Sequence, residues 1–272
     1  MDLYNEDCLE KMKDLSDNSI DLLFCDLPYG QTSCKWDSLI DLELFWKEVN
    51  RVCKITTPMF FTCSTKFGVS LINSNPKNFR YDLVWVKSAP CGFLNAKKMP
   101  MKKHEMIYVF YRKLPFYNLS SHEHKLLPER KTIDYKNDSF IYGKIDRPDF
   151  MRKNGESAYE PPLPNSIIKT ELYSNENKEE PRELYRNEGG QYDPPLPNSL
   201  LEIKSQKRKH ATQKPTALIE WCLKYYSKEG DTILDPTMGS GSTGVACKNM
   251  NRKFIGIEKD EKIFNNAVER LK

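Results

Sequence analysis

The chain has 272 residues, with 42 lysines and arginines against 38 acids and a formal net charge of +4. That length holds one sizeable core plus an added module, and the small basic excess suits nucleic acid without demanding it. No apolar run approaches the ~20 residues that cross a bilayer, and the acidic residues 1–7 lack the regions of a signal peptide. The eight cysteines fall singly, with no Cys-x-x-Cys pair. They read as buried reduced thiols of a cytoplasmic protein, not as disulfides or a structural metal site.

In chain order, residues 1–5 predict a short strand and 8–15 a helical stretch closed by the turn residues Ser16, Asp17, Asn18 and Ser19. The apolar run Ile20-Asp21-Leu22-Leu23-Phe24-Cys25 predicts a short buried strand. It runs into Asp26-Leu27-Pro28-Tyr29, with Gly30 at the turn. A carboxylate, a kinked backbone and an aromatic ring thus stand at a strand end, where open α/β sheets bind ligands. Residues 39–54 predict an amphipathic helix, with Leu39, Leu42, Phe45, Trp46 and Val49 at helical spacing. Residues 58–63 predict a strand, 66–73 a helix, and 81–86 and 105–111 two more strands, the last dense in β-branched and aromatic side chains. Such alternation argues for a parallel or mixed α/β sheet.

At about residue 115 the composition changes, and to about residue 209 prolines, asparagines and charges crowd out apolar residues. Tyr159-Glu-Pro-Pro-Leu-Pro-Asn-Ser recurs as Tyr192-Asp-Pro-Pro-Leu-Pro-Asn-Ser, a local duplication in a loop-rich module. Within the second copy, Asp193-Pro194-Pro195-Leu196 imitates a catalytic signature. No apolar strand precedes it and its fourth position offers no ring, so it reads as structural. Periodic structure resumes at 210–215, with Pro215 in the first turn of a helix and Thr212 as its cap. That helix reaches Lys228, stopped by Gly230. A strand at 232–234, a helix at 242–249, a strand at 253–257 and a helix at 260–271 follow.

Gly239-Ser240-Gly241-Ser242-Thr243-Gly244 follows a strand and opens a helix, and Glu258 closes the next strand nineteen residues after Gly239. This context points to a nucleoside-bearing cofactor, with the acidic side chain accepting from ribose hydroxyls and the helix amides drawing a negative group. Asp235-Pro236 ahead of the glycines, and the Asp-x-Pro-Tyr strand end elsewhere, do not fit nicotinamide binding.

Taken together and in this order, these stretches resemble the beta group of S-adenosylmethionine-dependent amino (adenine-N6/cytosine-N4) DNA methyltransferases. Asp235 to Gly241 looks like the cofactor loop, Thr212-Gln213-Lys214-Pro215 like the helix start beside the methionine moiety, and Phe254 to Glu258 like the ribose-binding strand. Asn5, Asp7, Cys8 and Leu9 match the strand end at the cofactor's adenine. Arg51, Trp85, Lys87, His104 and Glu105 match further landmarks. The resemblance implies a Rossmann-like seven-stranded sheet with permuted motif order and an inserted loop-rich target-recognition module.

The catalytic domain would then comprise 1–114 and 205–272, with recognition in 115–204. The catalytic residues implied are Asp26, Leu27, Pro28 and Tyr29. Those implied for the cofactor are Asp7, Cys8, Gln213, Lys214, Pro215, Asp235, Pro236, Gly239, Ser240, Gly241, Ser242 and Glu258, with Gly241 leaving room for the methionine moiety. Leu27 stands where the family usually has a first proline, which keeps the carbonyl and loses stiffness. Ala211 likewise replaces a proline.

An exocyclic amine is a poor nucleophile, because its lone pair is delocalised into the base. Asp26 and the carbonyl of residue 27, accepting its two hydrogens, would turn that lone pair toward the sulfonium methyl. The base must leave the duplex to arrive there, and Tyr29 would stack on it. Asp at position 26 favours adenine over cytosine by this resemblance. The implied cofactor is S-adenosyl-L-methionine and the implied partner double-stranded DNA, with no membrane and no metal; a homodimer and a cognate nuclease of a restriction-modification pair stay open. Among the basic residues, Lys102, Lys103, Lys207, Arg208 and Lys209 are expected to meet phosphates. His104 and His210 are not needed by this chemistry. The competing readings are cytosine-N4 methylation of DNA, adenine methylation of RNA, and a non-catalytic nucleic-acid-binding partner.

Overall fold

The computed structural model describes residues 1–28, 39–121, 123–124, 138–139, 143–144, 159–160, 167–169 and 213–272. β1 (Asp2–Tyr4) leads into α1 (Cys8–Lys11), which the Asp7 carboxylate caps by accepting from the Leu9 amide at 2.9 Å. The apolar run becomes β2 (Leu22–Cys25), buried at every residue, as a strand covered on both faces must be. α2 (Leu42–Val52), β3 (Met59–Cys63) and α3 (Thr65–Ser74) follow. Asp41 caps α2 through two amides, so the helix expected over 39–54 begins at residue 42 instead.

β4 (Phe79–Cys91) is longer than the strand expected over 81–86, because β5 (Lys102–Phe110) pairs with it in a hairpin beyond a register shift between Val86 and Cys91. β6 (Glu123–His124), β7 (Asp138–Ser139), β8 (Gly143–Lys144), β9 (Tyr159–Glu160) and β10 (Ile167–Lys169) are short. α4 (Thr216–Tyr226), β11 (Thr232–Asp235), α5 (Ser242–Asn249), β12 (Lys253–Ile257) and α6 (Glu261–Leu271) complete the chain. Pro215 stands at the N-cap of α4 in extended conformation, one position ahead of the first turn expected for it.

The main sheet runs β1-β12-β11-β2-β3-β5-β4-β10. The first five strands are mutually parallel, and β5 lies antiparallel between β3 and β4. Seven of these strands are those the resemblance implies. The eighth, β10, adds itself parallel to β4 with Ile167 opposite Val84, from within a range expected to be recognition module. The chain divides into two compact units, residues 1–117 with 166–272, and residues 118–165. In the second, β6 pairs with β9 and β7 with β8, both antiparallel. The repeat's second copy, the Asp193-Pro194-Pro195-Leu196 stretch and His210 lie outside the described residues.

Alternate strand residues serve opposite faces. Leu23, Cys25, Phe61 and Cys63 join Phe45, Trp46 and Val49 of α2 and Leu71 of α3 in one apolar layer. On the other face Phe60 meets Tyr226 of α4 edge-on, ring centroids 5.1 Å apart. Each such fully buried side chain contributes about 1.5–3 kcal/mol. Arg51 ties this core to the first helix, donating to the Leu15 carbonyl at 2.7 Å and the Met12 carbonyl at 2.5 Å. Seven cysteines are free among the described residues, all buried except Cys91. No described helix is long and apolar enough to cross a membrane.

Candidate active site

Parallel pairing puts the carboxyl ends of β1, β12, β11, β2 and β3 on one edge, and the antiparallel β5 brings its amino end there too. Asp7 and Glu258 follow β1 and β12, Asp235 ends β11 and Asp26 follows β2, so four acids line that edge strand by strand. β11 and β2 are neighbours although about 210 residues separate them in sequence, so the loop after each is held against the other. Thr237 makes the join, donating through Oγ1 to the Asp26 carbonyl at 3.1 Å and lying 3.3 Å from Cys25 Sγ.

The glycine loop is held from three sides. Glu258 accepts from the Gly239 amide at 3.0 Å through Oε2 and from the Asp260 amide at 2.9 Å through Oε1. Burial raises its carboxyl above the ordinary range despite these amides. Asp235, 4% exposed, accepts from the Thr243 hydroxyl at 2.5 Å and the Thr237 amide at 3.2 Å. Burial pushes its carboxyl up to about 7. From α6, Arg270 donates to the Ser240 carbonyl at 2.9 Å and to the Ser240 and Ser242 hydroxyls at 3.2 Å each. With its amide oxygen turned toward α6, Gln213 accepts from Arg270 Nη2 at 2.9 Å, so the stretch before α4 meets the same loop.

Gly239 and Gly241 both take positive φ, 52° and 76°. A Cβ at Gly239 would stand in open space, whereas one at Gly241 would meet Leu271 Cδ1 at 3.1 Å and Ala267 at 3.3 Å. Gly241 is thus packed against α6, whereas Gly239 borders open space. At the far strand, Asp7 pairs with Lys259 at 2.9 Å; burial would raise its carboxyl, but Lys259 and the Leu9 amide hold it low. Cys8 is buried and its thiol is pushed up to about 12. A cradle with open space at Gly239, a two-oxygen acceptor at Glu258 and the helix-capping carboxylate of Asp7 beyond β1 fits a nucleoside-bearing cofactor such as S-adenosylmethionine.

Asp26 accepts from the Thr62 hydroxyl at 2.7 Å through Oδ1 and pairs with Lys214 at 2.5 Å through Oδ2. Lys214 also lies 3.2 Å from Glu105, whose other oxygen pairs with Lys87 at 2.6 Å. Burial would raise the Glu105 carboxyl, but Lys214 and Lys87 together hold it below the ordinary range. Lys214, expected at the cofactor, is thus placed on the carboxylate of the other loop. Leu27 is 2% exposed and belongs to the apolar layer, so an anchored side chain stiffens the loop where a proline is absent. Tyr29, Lys207, Arg208 and Lys209 lie outside the described residues. Lys102 is half-buried and Lys103 buried, which removes Lys103 from a freely presented phosphate contact. The residues sequence reasoning missed are Arg270, Thr62, Thr237 and Lys259. Thr237 lies inside the glycine-loop stretch but was given no role, and the other three, an ordinary threonine and two charges, carry no motif; only the fold brings them here.

A cavity of about 300 Å³ lies at the opposite edge, bounded by Asp2, Leu15, Thr232 and Lys253, and has no part in this site. Among the described residues no cluster of His, Cys, Asp or Glu could hold a metal ion.

The fold and its two joined loops define an α/β protein with a glycine-loop cradle beside a strand-end carboxylate. Residues 20–269 match the family of N6/N4 DNA methylases. The chain belongs to that family and is a DNA methyltransferase. It is 25% identical to the type II methyltransferase M.HinfI of Haemophilus influenzae over 98% of this chain and 67% of the relative. A shorter stretch, 23% of the chain, is 49% identical to M2.DpnII of Streptococcus pneumoniae and covers 24% of it. Among solved structures, M1.HpyAVI in complex with SAM superposes with a TM-score of 0.57 at 21% identity, covering 100% of this chain and 99% of that one. The cytosine-N4-specific PvuII DNA methyltransferase does so with a TM-score of 0.61 at 13% identity, over 99% and 86%.

Proposed function

We propose that this chain transfers a methyl group from S-adenosylmethionine to the N6 amine of an adenine flipped out of double-stranded DNA. The observation that carries the reading is Asp26, a carboxylate fixed at the end of β2 and bonded through its own backbone carbonyl to the cofactor-type loop after β11. When bound, the donor supplies an electrophilic methyl on a sulfonium. Glu258 would accept from the ribose hydroxyls and Asp7 would border the adenine, with the Gly239 turn leaving room for the methionine moiety. Asp26 and the Leu27 carbonyl would accept the two amine hydrogens, turning the nitrogen lone pair toward the methyl. Nitrogen would form its bond to carbon as the carbon–sulfur bond breaks, leaving a neutral thioether, and its surplus proton would pass by way of the Asp26 carboxylate to solvent.

Pro28 shapes the loop, and Tyr29 stacks on the extruded base, returning about 1–3 kcal/mol of the unstacking cost. Residues 115–204 would read the target site, while Lys102, Lys207, Arg208 and Lys209 hold phosphates. The free cysteines accord with work in the cytoplasm, where its DNA substrate lies.

The test is methyl transfer from labelled S-adenosylmethionine to duplex DNA, with the modified base mapped by long-read sequencing. N6-methyladenine at a defined site, abolished by Asp26→Asn, is the expected result. N4-methylcytosine would move the chain to the cytosine branch, and transfer to RNA alone would change the substrate. Donor binding without transfer would leave a non-catalytic binding partner.

A further inference from the structure

Lys87, Glu105, Lys214 and Asp26 form a row of alternating charge from the β4–β5 hairpin to the end of β2. The successive contacts are 2.6, 3.2 and 2.5 Å. Lys214, Glu105 and Lys87 are largely withdrawn from solvent, with side-chain exposures of 13%, 11% and 18%. Ion pairs so placed are screened little by salt and depend on geometry. The row reaches the site from three separate segments, so the hairpin and the entry to α4 are both committed to the orientation of one carboxylate.

We infer that Lys214 is a positioning residue for methyl transfer: tethered by Glu105 and Lys87, its ammonium holds the Asp26 carboxylate, with Thr62, in the orientation that receives the target amine. This deepens the reading of Asp26 above and rests on it. The Lys214 ammonium is engaged by Asp26 and Glu105. Its neighbour Gln213 is the member of the stretch that turns toward the glycine loop, through Arg270. The stretch before α4 therefore serves both sides of the site, Gln213 the cofactor loop and Lys214 the catalytic carboxylate.

The groups that touch or electrostatically influence Asp26 come from several elements. Thr62 and Cys63 belong to β3, Cys25 to β2 and Asp235 to β11, while Lys214 precedes α4. Among these Lys214 carries the positive charge, so its loss would remove the cation that holds Asp26 Oδ2. Misplacement of a reacting group by about 1 Å is enough to cost about 10²-fold in rate.

The experiment uses the full chain, its methylatable DNA and S-adenosylmethionine. Lys214→Met is expected to lower kcat about 10²-fold. KM for DNA, and the calorimetric dissociation constant for S-adenosylmethionine, should stay within about threefold, far less than the loss of a charged ligand contact would bring. Lys214→Arg, which keeps a cation able to bridge two carboxylates, should recover at least about tenfold of that loss. Glu105→Gln should lower kcat by several-fold with cofactor affinity unchanged. A Lys214→Met protein with wild-type kcat at saturation and weakened cofactor binding would overturn the inference and make Lys214 a cofactor ligand. If Lys214→Met does not fold, Glu105→Gln decides: an unchanged kcat overturns the inference. The pair is also read without turnover, by a double-mutant cycle of Asp26→Asn and Lys214→Met on unfolding free energy; additive losses would mean that the two side chains do not interact. Failure of the wild-type chain to methylate any nucleic acid would instead sink the proposed function, and the cycle would still report on the pair.

Discussion

Arg270 holds Ser240 across thirty residues: its Nη1 donates to the Ser240 carbonyl at 2.9 Å and to the Ser240 hydroxyl at 3.2 Å. The last turn of α6 thereby fixes the crest of the glycine loop from behind. Burial lowers the affinity of this guanidinium for its proton, yet it stays charged, and its hydrogen bonds are of the stronger, charge-assisted kind. Arg270→Ala should cost about 1.5–3 kcal/mol of loop order, felt as a roughly tenfold or greater rise in the dissociation constant for S-adenosylmethionine. Calorimetry checks it. Unchanged affinity would mean that the loop is held without α6.

Such long-range ties mark where sequence reasoning stops. β2 and β12 were legible because unbroken apolar runs ended at acids, and α5 because Gly241 opens it at the position the motif predicts. β10 was not, since Ile167-Ile168-Lys169 is three residues in polar surroundings, and only β4 gives it a ladder. The places of Asp26 and Glu258 just past strand ends were legible through the strands they follow. Arg270 was unreadable because a basic residue in the last turn of a helix is ordinary helix chemistry. The pairing of Lys214 with Asp26 was not legible, because the two lie 188 residues apart and pairing at that distance leaves no periodic trace.

Glu258 offers a sharper test of the cofactor groove. Each of its oxygens accepts one backbone amide and keeps a second lone pair, which is what two ribose hydroxyls require. Glu258→Ala should weaken S-adenosylmethionine binding about 10- to 100-fold, and Glu258→Gln, with one acceptor oxygen, should fall between. Equal loss in both variants would indicate that charge, not acceptor count, is what the site uses.

The two glycines should separate stability from binding. Gly241→Val forces a branched side chain into positive φ and against Leu271 and Ala267. It should lower unfolding free energy by at least about 2–3 kcal/mol, combining backbone strain with overpacking. Gly239→Ala has the strain without the collision, about 1 kcal/mol, and its methyl enters open space. Its larger effect should appear in cofactor affinity. Melting curves and calorimetry on both variants decide, and the reverse ranking would show that the loop faces the other way.

Asp235 gives the protein a predictable response to pH. Its carboxyl is buried at the end of β11, and burial moves it from 3.8 to about 7, more than the Thr243 and Thr237 hydrogen bonds can offset. The folded chain therefore keeps a proton that the unfolded chain releases above about pH 4. The sign follows: this residue's contribution to stability is fully present below the unfolded value and is lost as pH rises through about 7. Asp235→Asn cannot ionise, and its amide oxygen can still accept from the Thr243 hydroxyl. Between about pH 5 and pH 8 the difference in unfolding free energy should move in favour of the variant by on the order of 2–3 kcal/mol. Denaturant unfolding of both proteins at the two pH values measures it. Parallel profiles would mean that Asp235 is ionised in the folded state throughout, and that Thr243 and Thr237 stabilise the anion more than burial opposes it.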